Sequence, residues 1–432
     1  MATLAVKKTE RLEGTVKAPP SKAYTHRAVI AASLSKGKSI IKYPLRCSDT
    51  EATIKACSML GAKIEWSEKE KALIVEGFAK PKVPDNIIDC RGSGSTIRFL
   101  ASVCALAEGV SVLTGNKSLR RRPMQPLIDA LNQLGARCLS AKNDGKPPII
   151  VLGGGVRGGE ASLVGNVSSQ FISSLLFAAP KAERETRIVV NTSLESKSYV
   201  EMTLNTLKAH NIKVEYSQGF DRFLVPCNQE YMPTSHFIEG DYSSAAFLLA
   251  AASITNSKVR VSGLKRQTLQ GDKIIVDIIR KMGVAVSSDE DSVEVSGSGE
   301  KLKPINVDLR DSPDLVPVCA ALACFAQGES LIIGVGRLRF KESDRLVALA
   351  SELDKMGVNI TASEDSMVIE GGAKLRGAHL FSHRDHRIAM ACAVAALGAE
   401  GETVIHGIEC IKKSYPNFVQ DLKSLGGKLF GG

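Results

Sequence analysis

Cations and small polar residues gather at short turns that precede apolar, helix-like segments. Lys22 and Arg27 lie at the first such turn, where the positive end of a helix dipole disfavours a cation. An anionic ligand would offset that cost, because the unpaired N–H groups of a first helical turn also attract anions. Surface exposure of both side chains is the alternative for this turn. The chemistry indicated is the binding of phosphate or carboxylate groups.

Similar turns and loops recur along the whole chain. Glycines at residues 92–94 would let the backbone approach a ligand closely, and Arg98 follows them. Other polar stretches lie at 120–122, 168–170, 196–199, 341–345, 385–387 and 412–416. Arginine binds phosphates and carboxylates bidentately, and lysine binds them as a point charge. These stretches together predict a site for multiply anionic small molecules.

Two carboxylates stand out among these cations. Asp314 precedes an apolar helical segment, and Glu342 lies in the polar loop at 341–345. A carboxylate within reach of a reacting group can move its proton as a general base. Asp314 would also be explained as an ordinary helix-capping acid. With the surrounding cations, the two carboxylates suit group transfer between small anions.

Other kinds of site are disfavoured. Three histidines and an aspartate lie between residues 379 and 386, but Arg384 and Arg387 are interleaved with them, and cations beside a metal are unfavourable. The chain shows no dinucleotide fingerprint, P-loop or hydrolase elbow. We therefore expect neither a metal nor a cofactor.

Composition narrows the class of partner. The length of 432 residues predicts two domains, and the apolar fraction of 44% is typical of a globular protein. The net charge of +10 favours anionic partners. Nucleic acid is the rival to small anions, but only 5% of the residues are aromatic and the cations are dispersed. Ten cysteines without a C-x-x-C pair are expected to be free thiols. With no secretory signal and no long apolar run, we expect a cytoplasmic protein without nucleic-acid or membrane partners.

Two sequence markers recur every seventy or so residues, which indicates six copies of one unit. A Gly or Asn suited to a left-handed helix end occurs at 61, 135, 211, 283, 357 and 426. Polar turns leading into apolar helices occur at 22, 95, 169, 243, 313 and 386. Because the two markers run in phase, each copy should contain strands and two helices.

Six copies divide naturally into two domains of three. A polar segment at 226–239 separates the third copy from the fourth, which predicts one domain over 21–237 and another over 238–432. We expect residues 1–20 to complete the second domain, with the strand-like run at 9–17 belonging to the sixth copy. The chain would then cross between the domains near 19–20 and near 236–240.

In this order, the motifs resemble the EPSP synthase family of enolpyruvyl transferases along essentially the whole chain. Each motif is weak alone, but the series is very specific. The matching residues are Pro20-Ser21-Lys22 with Arg27, Gly94-Ser95-Thr96 with Arg98, Arg122-Pro123, Ser168-Ser169-Gln170, Ser196-Lys197 with Tyr199, the stretch 240–245, Gln270-Gly271-Asp272, Pro313-Asp314, the stretch 341–345, Asp385-His386-Arg387 and the stretch 413–416. The resemblance implies an α/β fold of two inverse α/β barrel domains, with six βαβαββ repeats, three per domain.

The resemblance also implies an activity. The family transfers the enolpyruvyl group of phosphoenolpyruvate to the 5-hydroxyl of shikimate 3-phosphate, by addition and then elimination, with release of phosphate. The step belongs to the shikimate pathway of aromatic amino acid biosynthesis. The resemblance further implies two small anionic substrates, no cofactor and a monomeric enzyme.

Site residues follow from the resemblance position by position. Asp314 would take the hydroxyl proton, and Glu342, with Lys22 nearby, would handle the proton at the phosphoenolpyruvate methylene. Shikimate 3-phosphate would be held by Lys22, Arg27, Ser168, Ser169, Gln170, Ser196, Asp314 and Lys341. Phosphoenolpyruvate would be held by Lys22, Gly94, Arg122, Gln170, Arg345, Arg387 and Lys413. Arg98 is expected to support its loop rather than to bind ligand.

The chain departs from the family pattern at three positions. Ala23 stands where a hydroxyl residue is usual, Gly92 where the glycine-rich loop usually has Asn, and Arg337 where a polar residue is common. These differences bear on substrate affinity and on the response to inhibitors.

Two alternatives stay open from the sequence. UDP-N-acetylglucosamine enolpyruvyl transferase shares the fold and the donor, but that family has a reactive cysteine where this chain has Lys117. An RNA-end-processing protein has a related repeat and would suit the basic charge. Cations placed singly at helix starts, rather than in a patch, disfavour it.

Overall fold

The chain folds into two units, as seen in a computed structural model that describes residues 2–78, 80–297 and 299–431. The division falls between Pro19 and Pro20 and again between Ile238 and Glu239. The central unit is residues 20–238, and the C-terminal unit combines 2–19 with 239–431. The predicted domain ranges also include Met1, Ala79, Ser298 and Gly432, which lie outside the described residues.

Helices and strands alternate along the described chain. The helices are α1 (Lys22–Leu34), α2 (Ser48–Met59), α3 (Gly94–Ala105), α4 (Gln125–Gln133), α5 (Ser169–Ala178), α6 (Lys197–Ala209), α7 (Tyr242–Ile254), α8 (Ile275–Lys281), α9 (Val316–Ala323), α10 (Arg345–Asp354), α11 (His386–Leu397) and α12 (Phe418–Ser424). The strands are β1 (Thr3–Lys7), β2 (Glu13–Lys17), β3 (Lys38–Lys42), β4 (Lys63–Ser67), β5 (Ala72–Glu76), β6 (Ile88–Asp89), β7 (Val110–Thr114), β8 (Arg137–Ser140), β9 (Ile149–Leu152), β10 (Gly159–Leu163), β11 (Thr186–Val190), β12 (Glu215–Tyr216), β13 (Arg222–Val225), β14 (Ser235–Phe237), β15 (Lys258–Ser262), β16 (Ala285–Ser288), β17 (Ser292–Ser296), β18 (Asn306–Asp308), β19 (Gly328–Ile333), β20 (Asn359–Ala362), β21 (Ser366–Gly371), β22 (His379–Phe381), β23 (Glu402–His406) and β24 (Leu429–Gly431). Within the described ranges, no helix is both long and apolar enough to span a membrane.

The strands of the described residues form six four-stranded sheets of one pattern, three in each unit. In each sheet one edge pair is parallel and the other pairs are antiparallel. The second repeat shows the pattern, with β6 parallel to β7, β7 antiparallel to β9, and β9 antiparallel to β8. Each sheet with its two helices is a βαβαββ repeat, so the predicted sixfold repeat is confirmed.

The N-terminal strands complete two different repeats. β1 lies between β23 and β24 in the sheet of the sixth repeat, whereas β2 runs parallel to β15 in the sheet of the fourth. The prediction that the run at 9–17 completes the sixth repeat is therefore wrong, because residues 3–7 do so. The partners of β1 lie at the other end of the chain, and such distant pairing leaves no local signal in the sequence.

Both recurring markers correspond to helix boundaries. α1, α5 and α11 begin at the predicted turns, α3 and α7 begin one residue earlier, and a 3-10 helix at Pro313–Leu315 precedes α9. The other marker follows the second helix of each repeat in a left-handed conformation, with φ values of 111° at Gly61, 80° at Gly135, 60° at Asn211, 92° at Gly283, 91° at Gly357 and 98° at Gly426. That conformation ends the helix and turns the chain toward the next strand.

Each unit has its own apolar core, built around the first helix of each repeat. α7, α9 and α11 lie in one core, and α1, α3 and α5 lie in the other. α11 is buried along its whole length, whereas strands such as β7 and β23 alternate between buried and less buried residues. Helices therefore lie inside and sheets outside, which is the arrangement expected of an inverse α/β barrel. All ten cysteines are free thiols, and eight of them are buried.

Candidate active site

The predicted site residues fall in both units, and Lys22 is the first of those in the central unit. Ser21 caps α1 by accepting a hydrogen bond from the N–H of Tyr24. The Lys22 Nζ lies 3.2 Å from Oδ2 of Asp49, a buried carboxylate in the first turn of α2. A charge-assisted contact of this kind fixes the ammonium group at the start of α1.

Arg27 is buried and ties α1 to α6. Its guanidinium donates to Thr203 Oγ1 at 2.8 Å, to the Ala23 carbonyl at 2.9 Å and to the Tyr199 carbonyl at 2.8 Å. The rings of Phe99 and Tyr199 lie 5.2 and 5.8 Å from it. Burial lowers the pKa of Arg27 to about 10, against the opposing effect of nearby tyrosines. Sequence reasoning missed this bridging contribution, which uses three of the five guanidinium N–H groups.

Gly94 begins α3 inside a cluster of polar groups. A Cβ at this position would lie 2.8 Å from Arg122 Nη1, so a side chain there would displace the guanidinium, and it would also contact Gln170 Oε1 at 3.9 Å. Gln170 Oε1 accepts from Arg98 Nη1 at 2.8 Å, and Gln170 Nε2 donates to Ser95 Oγ at 2.9 Å. The structure therefore brings Gly94, Arg122 and Gln170 together, with Arg98 holding the amide.

Three predicted serines lie at the starts of α5 and α6. Ser168 caps α5, and its Oγ accepts from the N–H of Gln170 and from Arg98 Nη1, each at 3.3 Å. Ser169 is the first residue of α5, and Ser196 precedes α6 in a left-handed conformation with φ 57°. All three serines are buried. Their positions at helix starts suit the binding of an anion.

In the C-terminal unit, Arg345 is the centre of a network of acids. Its side chain is 1% exposed at the start of α10. Its Nε lies 2.8 Å from Asp385 Oδ2, its Nη1 lies 2.9 Å from Asp314 Oδ1, and its Nη2 lies 3.0 Å from Glu342 Oε2. Burial opposes the charge, but the three carboxylates outweigh burial and raise the pKa of Arg345 above its ordinary value.

Two further cations bind the remaining oxygens of the predicted catalytic acids. Arg387 Nη2 lies 3.0 Å from Asp314 Oδ2. Lys413 Nζ lies 2.6 Å from Glu342 Oε1. Each carboxylate therefore has one oxygen beside Arg345 and the other beside a second cation. This arrangement fixes both acids in orientation and gathers three of the predicted phosphoenolpyruvate ligands.

Lys341 precedes Glu342 in the same loop and has a perturbed pKa. Burial lowers its pKa to about 7, although the Asp314 carboxylate opposes the shift. Repulsion from Arg337 and Arg345 adds to the lowering. Arg337 itself donates to the carbonyl of Arg310. The departure from the family pattern at Arg337 therefore acts electrostatically on Lys341.

Buried acids hold several of the site lysines and arginines in place, a role that the sequence does not predict. Asp385 belongs to the motif at 385–387, but its contact with Arg345 is not predictable from the sequence. Asp49 gave no signal, because an acid in the first turn of a helix is ordinary. Asp272 is buried and accepts a hydrogen bond from the Ser243 hydroxyl. Burial, and then repulsion from Asp314, raise the pKa of Asp272 to about 6.

The histidines between residues 379 and 386 are not gathered into one site. His379 stacks on His406 with ring centroids 5.6 Å apart, and His383 lies 2.7 Å from Glu352. His386 lies beside Asp385 at 3.7 Å. Among the described residues, no three His, Cys, Asp or Glu side chains are grouped to hold a metal ion.

The Arg345→Ala substitution should destabilise the protein strongly, because it leaves three clustered carboxylates without their shared cation. We expect the free energy of unfolding to fall by about 3–5 kcal/mol in denaturant titrations at neutral pH. Arg339→Ala is the matched control, since Arg339 pairs with Asp344 at 3.1 Å in a more exposed position. Its loss should be about 1 kcal/mol or less. Equal, small losses in both variants would contradict the central place of Arg345.

The chain is similar to known proteins over nearly its whole length. The family model for EPSP synthase (3-phosphoshikimate 1-carboxyvinyltransferase) matches residues 6–422. A relative from Methanocaldococcus jannaschii named 3-phosphoshikimate 1-carboxyvinyltransferase is 46% identical over 430 residues, 99% of each chain. A relative of the same name from Methanococcus aeolicus is 42% identical over 430 residues, again 99% of each.

The fold comparison agrees with these matches. A solved structure of EPSP synthase from Acinetobacter baumannii has a TM-score of 0.83 and 26% sequence identity, covering 100% of both chains. The resemblance and the two-domain α/β fold expected from the motifs are thereby confirmed. The chain belongs to the EPSP synthase family.

Proposed function

We propose that this chain transfers the enolpyruvyl group of phosphoenolpyruvate to the 5-hydroxyl of shikimate 3-phosphate and releases phosphate, as a transferase of the shikimate pathway. The observation that carries the proposal is the network in which Asp314 and Glu342 share Arg345. Cations for an anionic donor and carboxylates for proton transfer occur there in one cluster. The names of the relatives support the same activity.

Asp314 would act as the base for the acceptor hydroxyl. As the hydroxyl oxygen attacks C2 of phosphoenolpyruvate, its proton would pass to Asp314, whose orientation is set by Arg345 and Arg387. A general base needs this kind of fixed position within reach of the proton. The addition gives a tetrahedral intermediate that still carries the phosphate.

Glu342 would handle the proton at the methylene carbon of the donor, with Lys22 assisting. During addition C3 gains a proton and becomes a methyl group, and during elimination it loses one as phosphate leaves. Glu342 is 10% exposed and lies between Arg345 and Lys413, so its oxygens are held in place. Cations on the same network suit the charge of the departing phosphate.

The remaining predicted residues would bind the substrates. The phosphoenolpyruvate set is Lys22, Gly94, Arg122, Gln170, Arg345, Arg387 and Lys413, and the shikimate 3-phosphate set is Lys22, Arg27, Ser168, Ser169, Gln170, Ser196, Asp314 and Lys341. Arg27 would use the two guanidinium N–H groups that are not directed at Thr203, Ala23 and Tyr199. Arg98 would position Ser168 and Gln170.

The proposal extends to a cytoplasmic monomer that binds small anions rather than nucleic acid or membranes. The preference for small anions is supported by the pairing of site cations with carboxylates of low exposure, as in Lys22 with Asp49 and Lys413 with Glu342. Such pairing suits compact, multiply charged ligands. It differs from the array of surface cations that a nucleic-acid backbone requires.

The purified protein, mixed with shikimate 3-phosphate and phosphoenolpyruvate, should release phosphate and form the enolpyruvyl ether. A phosphate assay measures the first product, and mass spectrometry identifies the second. Release should require both substrates. No release would overturn the proposal. Phosphate release with UDP-N-acetylglucosamine in place of shikimate 3-phosphate would indicate the activity of UDP-N-acetylglucosamine enolpyruvyl transferase instead.

Asp314→Asn should lower kcat by about 10²–10⁴-fold, because the amide keeps the shape but does not accept the proton. The KM values should change much less than kcat. Asp311→Ala, three residues earlier and exposed, is the control and should keep wild-type kinetics. A kcat close to that of the wild type in the Asp314 variant would remove this residue from proton transfer.

Shikimate 3-phosphate binding should weaken as the pH rises above about 7, because Lys341 then loses the charge that would attract the anion. The protonated form predominates below this pKa, so KM should rise as the pH passes through it and then level off at the weaker affinity of the neutral form. Lys341→Arg should abolish the part of the pH dependence of KM that comes from residue 341, since arginine stays charged. The ratio of wild-type to variant KM at each pH cancels ionisation of the substrate itself. A constant ratio from pH 6 to 9 would contradict the prediction.

A further inference from the structure

Glu352 is a buried acid outside the set of residues assigned above. It lies two turns after Arg345 on α10, and its side chain is 1% exposed. Its Oε1 lies 2.7 Å from His383 Nε2, and its Oε2 accepts from Lys355 Nζ at 2.7 Å and from the N–H of Phe381 at 2.9 Å. Burial opposes ionisation, but these hydrogen bonds outweigh it and lower the pKa of Glu352 to about 2.

The segment that Glu352 contacts has an unusual backbone. His383 and Arg384 are consecutive left-handed residues, with φ values of 51° and 58°. Residues with a Cβ rarely adopt this conformation, and it persists where surrounding contacts determine it. Ser382 contributes one such contact, because its Oγ accepts from the Arg384 N–H at 3.2 Å and donates to the Gly407 carbonyl at 2.9 Å.

This left-handed turn leads directly into the site. Asp385 follows it, caps α11 by accepting from the N–H of Arg387 at 2.9 Å, and pairs with Arg345. The Arg387 guanidinium then reaches Asp314 at 3.0 Å. The direction in which the chain leaves residue 384 therefore determines where Asp385 and Arg387 lie.

α10 holds this segment at two points. Arg345, at the start of the helix, binds Asp385 at one end of the segment. Glu352, two turns later, binds the Phe381 N–H and the His383 ring at the other end. Because one rigid helix carries both groups, the spacing along α10 sets the spacing along residues 381–385.

We propose that Glu352 is a positioning residue for Arg387 and Asp385. It fixes the left-handed turn at His383 and Arg384, and so places the start of α11 against Arg345 and Asp314. The kinetic consequence rests on the proposed function, in which Arg387 and Arg345 bind phosphoenolpyruvate.

Kinetics of Glu352→Ala distinguish positioning from mere support of the fold. We expect kcat/KM for phosphoenolpyruvate to fall by about 10–100-fold, since small displacements of substrate-binding groups have effects of this size. The KM for shikimate 3-phosphate should change far less. Glu352→Gln should recover much of the loss, because the amide can accept from the Phe381 N–H and still contact His383 Nε2. Asp354→Ala, which removes an exposed acid from the same helix, should match the wild type.

Hydrogen exchange gives a readout that needs no substrate. Exchange of the backbone N–H groups of residues 384–388 should be faster in Glu352→Ala than in the wild type, less so in Glu352→Gln, and unchanged in Asp354→Ala. If Glu352→Ala does not fold, His383→Ala tests the same contact from the exposed side of the segment. Unchanged exchange in that segment would overturn the inference whatever the activity of the enzyme.

The two proposals fail in different ways. A wild-type protein that does not turn over phosphoenolpyruvate with shikimate 3-phosphate overturns the proposed function, and the exchange experiment still decides whether Glu352 fixes the turn. An active enzyme whose Glu352 variants exchange faster but keep wild-type kcat/KM for phosphoenolpyruvate would overturn the positioning role. Equal losses for both substrates would also overturn it, because they would indicate general destabilisation.

Discussion

The burial of one guanidinium constrains the acidic side chains of the C-terminal unit. Arg345 is almost inaccessible to water, and a buried charge is tolerated only where partners and hydrogen bonds compensate its desolvation. Three carboxylates do so, through three different nitrogens of the side chain. Asp314, Glu342 and Asp385 are consequently fixed relative to one another. The positions of Arg387 and Lys413 follow, because each binds a carboxylate oxygen that Arg345 leaves available.

The repeated architecture supplies the places from which these groups extend. The first helix of each repeat is buried, so its polar start is anchored by the core, while the sheet of the repeat covers it from outside. In the C-terminal unit the starts of α10 and α11 and the 3-10 turn before α9 all contribute to the network. In the central unit the starts of α1, α3, α5 and α6 carry Lys22, Gly94, Gln170 and Ser196. One structural unit, copied six times, thus presents different side chains at the starts of its first helices and, in α6 and α10, of its second helices.

Helix boundaries were predictable because they are set locally. A capping side chain or a left-handed Gly acts within a few residues, and both markers coincide with observed helix ends. The pairing of β1 was not predictable from the sequence, since its partner strands are at the far end of the chain. In the site, Lys22 and Arg27 stand out in the sequence because a cation near a helix start is unfavourable. The other site cations are predicted only through the resemblance to the family. The contacts of Asp49 and Glu352 were not predictable, because an acid within a helix looks the same in sequence whether it faces water or a buried partner.

The contrast between Arg345 and its neighbour Lys341 shows why an arginine occupies the centre of the network. Burial acts against the charge of both, yet the pKa of Arg345 rises while that of Lys341 falls to about 7. The difference lies in the partners, because three carboxylates surround Arg345 at hydrogen-bond distance. A planar guanidinium can address three carboxylates in fixed directions, whereas an ammonium group is a single point charge that readily loses its proton when buried. The permanent cation therefore organises protein groups, whereas under the proposed function the titratable cation would be paired by the anionic substrate.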